Sequence, residues 1–185
     1  MRVMGIYLTA DNHFGHANVI RYCARPFGSA WHMDQVMIGR WNQVVTNGDD
    51  VYHLGDFTLG GYDVFSKIVE QLHFRKLYVV PGGHDRRWLK NHPRDPSPIE
   101  ILESIHHLHY MGSLIVLCHY PMHSWPQSHY GSLHLHGHCH GTIGCTSLSS
   151  DVQLPPGQKK GRRIDVGVDC HDFYPVHIQT LMNMV

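Results

Sequence analysis

This sequence has neither an excess of one charge nor an apolar run long enough to cross a bilayer. Its 15 Lys and Arg balance 15 Asp and Glu, so no overall charge attracts nucleic acid or an anionic membrane, although a polyanion can still bind locally. Only 16% of the 185 residues are charged and 42% are hydrophobic, enough to close a single core. We therefore expect one domain, residues 1–185, and no membrane association.

Cysteine is sparse and lacks the spacing that structural sites use. The five cysteines form no C-x-x-C pair, which disfavours a disulfide framework and indicates a reducing compartment. Cys139 and Cys145 stand near several histidines, but their spacing matches no structural zinc pattern. The N-terminus reaches Asp11, Asn12 and His13 before the apolar region of a signal peptide forms. These features predict a cytoplasmic protein.

Histidine is the residue present in excess. Its 19 copies outnumber the acidic residues and the basic residues taken separately. Histidine is the commonest metal ligand and titrates near neutral pH, so the positions of these side chains decide their meaning. A single histidine is more often a surface or hydrogen-bonded residue than a ligand. We assign that structural role to every histidine except His13, His84, His119, His138 and His140.

Hydrophobic periodicity predicts alternating strands and helices in the first half of the chain. Buried strands are expected at 3–9, 51–54 and 76–80, and amphipathic helices near 32–46 and 64–72. The second half favours closely spaced strands at 105–110, 113–117, 133–135 and 164–168, with a loop rich in Ser, Pro, Gly and basic residues at 147–163. This pattern predicts a layered α/β architecture in which helices cover a sandwich of strands.

Aspartate and histidine side chains follow most of these strands. Six of them are candidate metal ligands, Asp11, His13, Asp56, His119, His138 and His140, and His84 and Asp85 follow the third strand. Because ligands of open α/β sheets bind beyond the carboxyl ends of the strands, we expect these residues to converge. Oxygen and nitrogen donors suit manganese, iron, zinc, nickel or magnesium. Two ions about 3.5–4 Å apart that share a carboxylate would use six ligands, and such pairs commonly hydrolyse phosphoesters.

The ordered motifs resemble those of the calcineurin-like metallophosphoesterase superfamily, in particular its small bacterial and phage members. The matching residues are Asp11-x-His13, Gly55-Asp56, Gly82-x-His84-Asp85, His119 and Gly137-His138-x-His140. The residues around these motifs also agree with those members, as does the segment Asp165-Val166-Gly167-Val168-Asp169. Together they span most of the chain, from about residue 8 to residue 168. The resemblance implies a four-layer α/β/β/α fold, a β-sandwich flanked by helices.

The resemblance also implies two divalent metal ions, with manganese first and iron, zinc, nickel or magnesium as alternatives. The first ion would be bound by Asp11, His13 and His140. The second would be bound by His119 and His138, with Asp56 as the bridge between the two ions. A metal lowers the pKa of bound water to about 7, so hydroxide could attack phosphorus without a protein nucleophile.

Further roles fall on residues near the same strand ends. The resemblance makes His84 the acid beside the leaving-group oxygen, and Asp85 is expected to orient its ring or keep it protonated. Arg86 is expected to reach a phosphate oxygen. Arg25 and Tyr120 are expected to line the substrate pocket. Among the aromatic residues, Trp31, Trp41 and Phe65 are assigned to the core, while Trp88 and Trp125 are placed near the cleft, where they could stack on a base.

One position departs from the family pattern. Where the family has asparagine between glycine and histidine, this chain has Gly83. The amide oxygen that would reach the second ion is therefore missing. Loss of even a supporting group around a metal typically costs about 10–100-fold in affinity or activity. We expect the second site to bind its ion weakly and to be only fractionally occupied.

Together these features predict a metal-dependent phosphoesterase, more specifically a phosphodiesterase that acts on a small nucleotide or nucleotide-like ester. A phosphomonoesterase or a nuclease is the alternative within the family. The alternative outside it is a metal-bearing nucleotide-binding module with little or no turnover, which Gly83 makes a serious option. Nucleic acid is not the favoured partner, although the basic run at 158–163 offers a local contact for phosphates.

Overall fold

The computed structural model describes residues 4–92, 98–144, 146–148 and 160–184. Its strands are β1 Ile6–Thr9, β2 Asp50–His53, β3 Lys76–Val79, β4 Ile99–Ile101, β5 Ile105–Tyr110, β6 Ser113–Cys118, β7 Leu133–His136, β8 Thr146–Leu148, β9 Arg162–Asp165 and β10 Val176–His177. Its α-helices are α1 Ala17–Tyr22, α2 Ala30–Val44, α3 Tyr62–Val69, α4 Arg86–Leu89 and α5 Ile178–Asn183, and a 3₁₀ helix covers Val168–Cys170.

These strands form two five-stranded sheets. The first has the order β10-β1-β2-β3-β4, in which β1 to β4 are parallel and β10 is antiparallel to β1. The second has the order β5-β6-β7-β9-β8, in which β6, β7 and β9 are parallel and the two edge strands are antiparallel to their neighbours. Parallel neighbours end at the same edge of a sheet, so each sheet brings several carboxyl ends together.

Apolar side chains pack in two main layers. One layer joins the two sheets and includes Leu8 and Leu54 from the first sheet and Leu117 and Leu135 from the second. The other lies between the first sheet and helices α1 to α4. The outer face of the second sheet carries a smaller cluster, Leu114 and Val116 under Trp125. This burial on both faces explains why β6 is almost continuously apolar rather than alternating.

Helix α2 shows how local sequence fixes one of these layers. Ser29 caps its N-terminus, since its side chain accepts a hydrogen bond from His32 N at 3.1 Å. Met33, Met37 and Trp41 recur every four residues and are buried against the first sheet. The helix thus presents one apolar stripe to the core, as its periodicity predicts.

The prediction of a mixed α/β fold with two sheets flanked by helices is confirmed. The periodicity did not predict α1, β10 or α5, which are short. The strand predicted at 164–168 ends at Asp165, because the chain turns at Gly167 into the 3₁₀ helix. The segment predicted as a loop at 147–163 contains part of β8 and of β9, and its residues 149–159 lie outside the described residues. The single-domain expectation stays a prediction.

The cysteines differ from expectation at one position. Cys23, Cys118 and Cys139 are free, whereas Cys170 is disulfide-bonded. The sequence disfavoured a disulfide framework and did not anticipate this bond, because sequence spacing does not show which distant cysteines a fold brings together. In the described part of the chain, none of the helices combines the length and apolar character needed to traverse a membrane.

Candidate metal centre

The carboxyl ends of the parallel strands deliver the six predicted ligands to two adjacent clusters. Asp11 and His13 follow β1 and meet His140, which follows β7. Asp56 follows β2 and meets His119, after β6, and His138, after β7. Within each cluster the candidate ligand atoms lie within 4.8 Å of one another. The fold therefore brings all six residues together from distant parts of the sequence.

Asp56, a member of the second cluster, also faces the first cluster. Its Oδ2 is 3.7 Å from His13 Nε2 in the first cluster and 3.5 Å from His119 Nε2 in the second. Two ligand atoms that share a tetrahedral zinc-like ion are separated by roughly 3.4 Å when each bond is about 2.1 Å. The spacing around this oxygen therefore suits an ion on either side of it.

The protein orients these ligands by holding their other polar atoms. Asp11 Oδ2 accepts a hydrogen bond from His138 N at 2.7 Å, and Asp56 Oδ1 accepts one from His84 N at 2.9 Å. His119 Nδ1 lies 2.8 Å from Leu54 O. The opposite atoms, Asp11 Oδ1 and His119 Nε2, are buried without a hydrogen-bond partner. Since buried polar atoms are normally paired, these two fit a site that holds a cation.

Backbone conformation sets the site apart from the rest of the fold. Five of the six candidate ligands have positive φ angles, between 47° and 70°: Asp11, His13, Asp56, His138 and His140. Left-handed conformations cost non-glycine residues of order 1–3 kcal/mol each and persist where the surrounding structure enforces them. Their concentration here indicates a site in which the direction of each side chain matters more than local stability.

Two glycines allow the backbone to pass close to the carboxylates. A Cβ at Gly137 would lie 2.5 Å from Asp11 Oδ2, and a Cβ at Gly82 would lie 2.3 Å from Asp56 Oδ1. Any side chain at these positions would displace the carboxylates. The glycines of the two motifs therefore serve close packing around Asp11 and Asp56.

The electrostatics of the first cluster favour a cation. Burial, followed by the charges of Asp165 and Asp56, raises the pKa of Asp11 well above its usual value. Burial, followed by repulsion from His140, lowers the pKa of His13 to about 2. The imidazole of His13 is therefore neutral at physiological pH, with a lone pair free to ligate. Close carboxylates and neutral imidazoles form a donor set that fits a divalent ion.

His84 lies at the open side of the centre. Its side chain is 51% exposed, and its Nε2 is 3.8 Å from Asp56 Oδ2. Its ring centroid is 5.4 Å from that of His13. The side chain is thus accessible to solvent and adjacent to both clusters, and its role as an acid stays a prediction.

Asp85 does not act on the His84 ring, contrary to expectation. It is fully buried, and its two oxygens accept hydrogen bonds from the backbone nitrogens of Asp56, Phe57 and Gly82 and from Trp88 Nε1. Its oxygens therefore already have four donors, all within 2.9 Å. Asp85 fixes the loop that carries Asp56 to the loop that carries His84, which is a structural role.

Arg25 also differs from expectation, because it is buried and does not face a substrate. Its guanidinium makes two hydrogen bonds of 2.7 Å to Asp169 and binds the backbone oxygens of Asp11 and Asn12. Only 4% of the residue is exposed. The assignment to substrate binding was wrong, since sequence position near the first metal loop does not show which way the side chain points.

The two other predicted substrate residues are exposed. Arg86 begins α4 on the surface, next to His84. Tyr120 is 48% exposed, and its ring packs against His119 and His138 with centroid distances of 4.8 and 4.7 Å. Their contact with a substrate stays a prediction.

The tryptophans are distributed differently from the sequence expectation. Trp88 is fully buried and stacks on Phe65 with ring centroids 3.8 Å apart, and Trp125 is buried with its Nε1 directed at Ser132. Neither can stack on a base. Trp31, expected in the core, is 73% exposed near the start of α2, whereas Trp41 and Phe65 are buried as expected.

Sequence analysis gave no role to Asp169, which the structure places against the centre. Its Oδ2 lies 2.7 Å from His140 Nδ1, and it is paired with Arg25. It belongs to the motif at 165–169 that matched the family, and this was the available signal. His53, assigned a structural role from sequence, supports the loop of Asp11 and His13, since its Nε2 lies 2.9 Å from Asn12 Oδ1.

A cavity of about 580 Å³ adjoins the centre. It is lined by Tyr22, Cys23, Ala24, His138, Cys139, His140 and Thr142. None of these lining residues is Asp, Glu, Lys or Arg. A cavity of this size holds a small molecule rather than a macromolecule.

No protein-family model matches the chain. An uncharacterized protein of Methanocaldococcus jannaschii is 29% identical over 187 residues, covering 100% of this chain and 93% of the relative. A crystal structure of a protein of unknown function from Aquifex aeolicus aligns with a TM-score of 0.72 and 24% identity, covering 99% of this chain and 100% of that one. This chain shares the fold of the Aquifex protein.

A third protein is less similar. It is a conserved uncharacterized protein from Streptococcus pneumoniae, described as a predicted phosphoesterase, with a TM-score of 0.43 and 16% identity. The alignment covers 90% of this chain and 74% of that one.

Proposed function

We propose that this chain is a metal-dependent phosphoesterase of the metallophosphoesterase superfamily that hydrolyses a small, nucleotide-like phosphodiester. The observation that carries the proposal is the position of Asp56 Oδ2, 3.7 Å from His13 and 3.5 Å from His119, between two three-residue clusters. A carboxylate shared by two metal sites is the arrangement that two-ion phosphoester hydrolysis uses.

The ligand assignment follows from the clusters. Asp11, His13 and His140 would hold one divalent ion, His119 and His138 the other, and Asp56 both. When bound, such ions supply an acidified water and neutralise charge on the phosphoryl oxygens. We propose manganese as the first candidate, with iron, zinc, nickel and magnesium as alternatives of the same donor preference.

The protein's own residues then position the reaction. Asp169 holds His140 through Nδ1, which fixes the direction of Nε2. The backbone N–H of His84 and the loop at Gly82 hold Asp56 Oδ1, which leaves Oδ2 directed between the clusters. The exposed His84 ring donates a proton to the leaving-group oxygen.

The substrate class is proposed from the cavity beside the centre. Apart from the two candidate ligands His138 and His140, which face the metal centre, its lining offers aromatic, thiol, methyl and hydroxyl groups. Such a lining suits an uncharged organic substituent better than a second phosphate. The cavity therefore supports an ester whose second substituent is a nucleoside or a similar planar group.

The test is hydrolysis of bis(p-nitrophenyl) phosphate and of p-nitrophenyl phosphate by metal-free protein reloaded with manganese. We expect turnover of the diester to exceed that of the monoester, and Asp56→Asn to abolish both. Asp63→Asn, which changes an exposed aspartate of α3, is the matched control and should retain full activity. Equal, metal-independent rates in all three proteins would contradict the proposal.

A second candidate is a metal-bearing nucleotide-binding module without turnover. It is favoured by Gly83, which is exposed and supplies no donor to the second cluster. Manganese binding at the site together with nucleotide binding, but with no hydrolysis of any ester at any metal concentration, would establish this function instead.

A further inference from the structure

Position 83 and Tyr120 compete for the same space over the second cluster. A Cβ built on Gly83 would meet no atom within 4 Å except the Tyr120 hydroxyl, at 3.2 Å. The residues on either side of Gly83 are fixed, since Gly82 N donates to Asp85 Oδ2 and His84 N donates to Asp56 Oδ1. A side chain at position 83 would therefore point toward the place that the phenol oxygen now occupies.

The ring of Tyr120 is fixed over the same cluster. It packs edge to face on His119 and against His138, with centroids 4.8 and 4.7 Å away. These two residues and Asp56 are the three donors of the second cluster. The phenol oxygen on this ring lies 3.2 Å from the Cβ position of residue 83, the position whose side chain the family pattern directs to the second ion. Phenol oxygen has lone pairs and can serve as a ligand or as a hydrogen-bond acceptor.

We propose that the Tyr120 hydroxyl supplies the oxygen donor that position 83 lacks and so retains the second metal ion. The inference rests on the proposed function, because it concerns the second ion of that site. It changes the role of Tyr120 from a substrate contact to a metal-positioning residue. It also implies that the second ion is held more tightly than Gly83 alone would suggest.

The test is a double-mutant cycle of Tyr120→Phe and Gly83→Asn, read out as manganese affinity rather than as activity. Tyr120→Phe keeps the ring contacts and removes only the oxygen. We expect it to weaken the second manganese ion by about 10–100-fold while leaving the first unchanged. In the Gly83→Asn background the same change should cost less than about 3-fold, because the amide then supplies the oxygen. Titration calorimetry and the spin-coupled manganese EPR signal report the second ion directly.

Tyr130→Phe provides the matched control, since Tyr130 is an exposed tyrosine that contacts His129 and none of the candidate ligands. It should bind two ions as the wild type does. If Tyr120→Phe binds both manganese ions with wild-type affinity, the inference is overturned and the proposed function stays intact. An increase in KM without a change in metal affinity would also overturn it and return Tyr120 to substrate binding. Absence of metal binding in the wild type would instead contradict the proposed function itself, and the inference with it.

Discussion

The carboxylate of Asp169 lies 2.7 Å from Nδ1 of His140. The same carboxylate is paired with the buried guanidinium of Arg25, whose side chain also holds the backbone oxygens of Asp11 and Asn12. His140 and the Asp11 loop are thus tied to one buried ion pair. Because the charge of Asp169 is shared by both partners, its pKa is lowered despite burial, chiefly through hydrogen bonds from His140 and Arg25.

We expect Asp169→Asn to weaken binding of the first metal ion by about 10–100-fold, since it removes the charge that orients and polarises His140. It should also lower stability, because Arg25 loses its buried partner. Equilibrium dialysis against manganese and urea denaturation measure the two effects. Asp172 is an exposed aspartate nearby in sequence, and Asp172→Asn should change neither metal affinity nor stability. Unchanged metal affinity in Asp169→Asn would show that His140 does not ligate through the opposite nitrogen.

His84→Ala should lower kcat for the diester by about 10²–10⁴-fold, the usual contribution of a general acid. Metal content should stay at the wild-type value, because Asp56 Oδ1 is held by the backbone of residue 84 and not by its ring. His73→Ala, another exposed histidine, serves as the control for the loss of a surface imidazole. A parallel loss of bound metal would show that the His84 ring is a ligand instead of an acid.

Gly137→Ala should disrupt the first metal site, because the new methyl group would lie 2.5 Å from Asp11 Oδ2 and 2.6 Å from Ala10 Cβ. We expect at least a 10-fold loss of metal affinity and a destabilisation of about 1–3 kcal/mol. Gly39→Ala is the matched control, since nothing lies within 4 Å of its Cβ position in α2. That change should stabilise the protein by about 0.5–1 kcal/mol. Equal stability of both variants in urea would contradict this account of Gly137.

The free energy of unfolding should depend on pH through His53. Burial lowers the pKa of His53 to about 4, and the neutral ring uses both nitrogens, toward Asn12 Oδ1 and Gly55 N. The unfolded chain binds the proton near pH 6.5, so stability from this group is complete above about pH 6.5 and decreases as pH falls toward 4. The full effect is roughly 3 kcal/mol.

The measurement compares urea denaturation of wild type and His53→Gln in EDTA between pH 7.5 and 4.5. The comparison is needed because Asp11, whose pKa is raised, contributes with the opposite sign. A smaller decrease of stability toward low pH in His53→Gln is the expected result. Parallel curves for the two proteins would show that His53 does not remain neutral in the folded state.

Part of the site could be predicted from sequence because its residues follow apolar strands directly. Asp11, Asp56 and His119 each come within three residues of a buried strand, and parallel strands end at a common edge. Short elements such as α1 and α5 were not predicted, since six residues give too little periodicity to distinguish a helix from a turn. The predicted role of Asp85 failed for another reason: its neighbour in sequence is His84, but two of its four hydrogen-bond donors come from residues 56 and 57 and none is the His84 ring.

The sequence by itself determined which residue types stand at the strand ends, and therefore the donor chemistry of the site. Only the tertiary structure decided where each side chain points: Arg25 inward to Asp169, Tyr120 over the second cluster, and Trp88 into the core. Side-chain direction depends on contacts between segments far apart in the chain, such as the 144 positions that separate Arg25 from Asp169. Local sequence pattern carries no information about such contacts, whereas packing and hydrogen bonding in the folded state fix them.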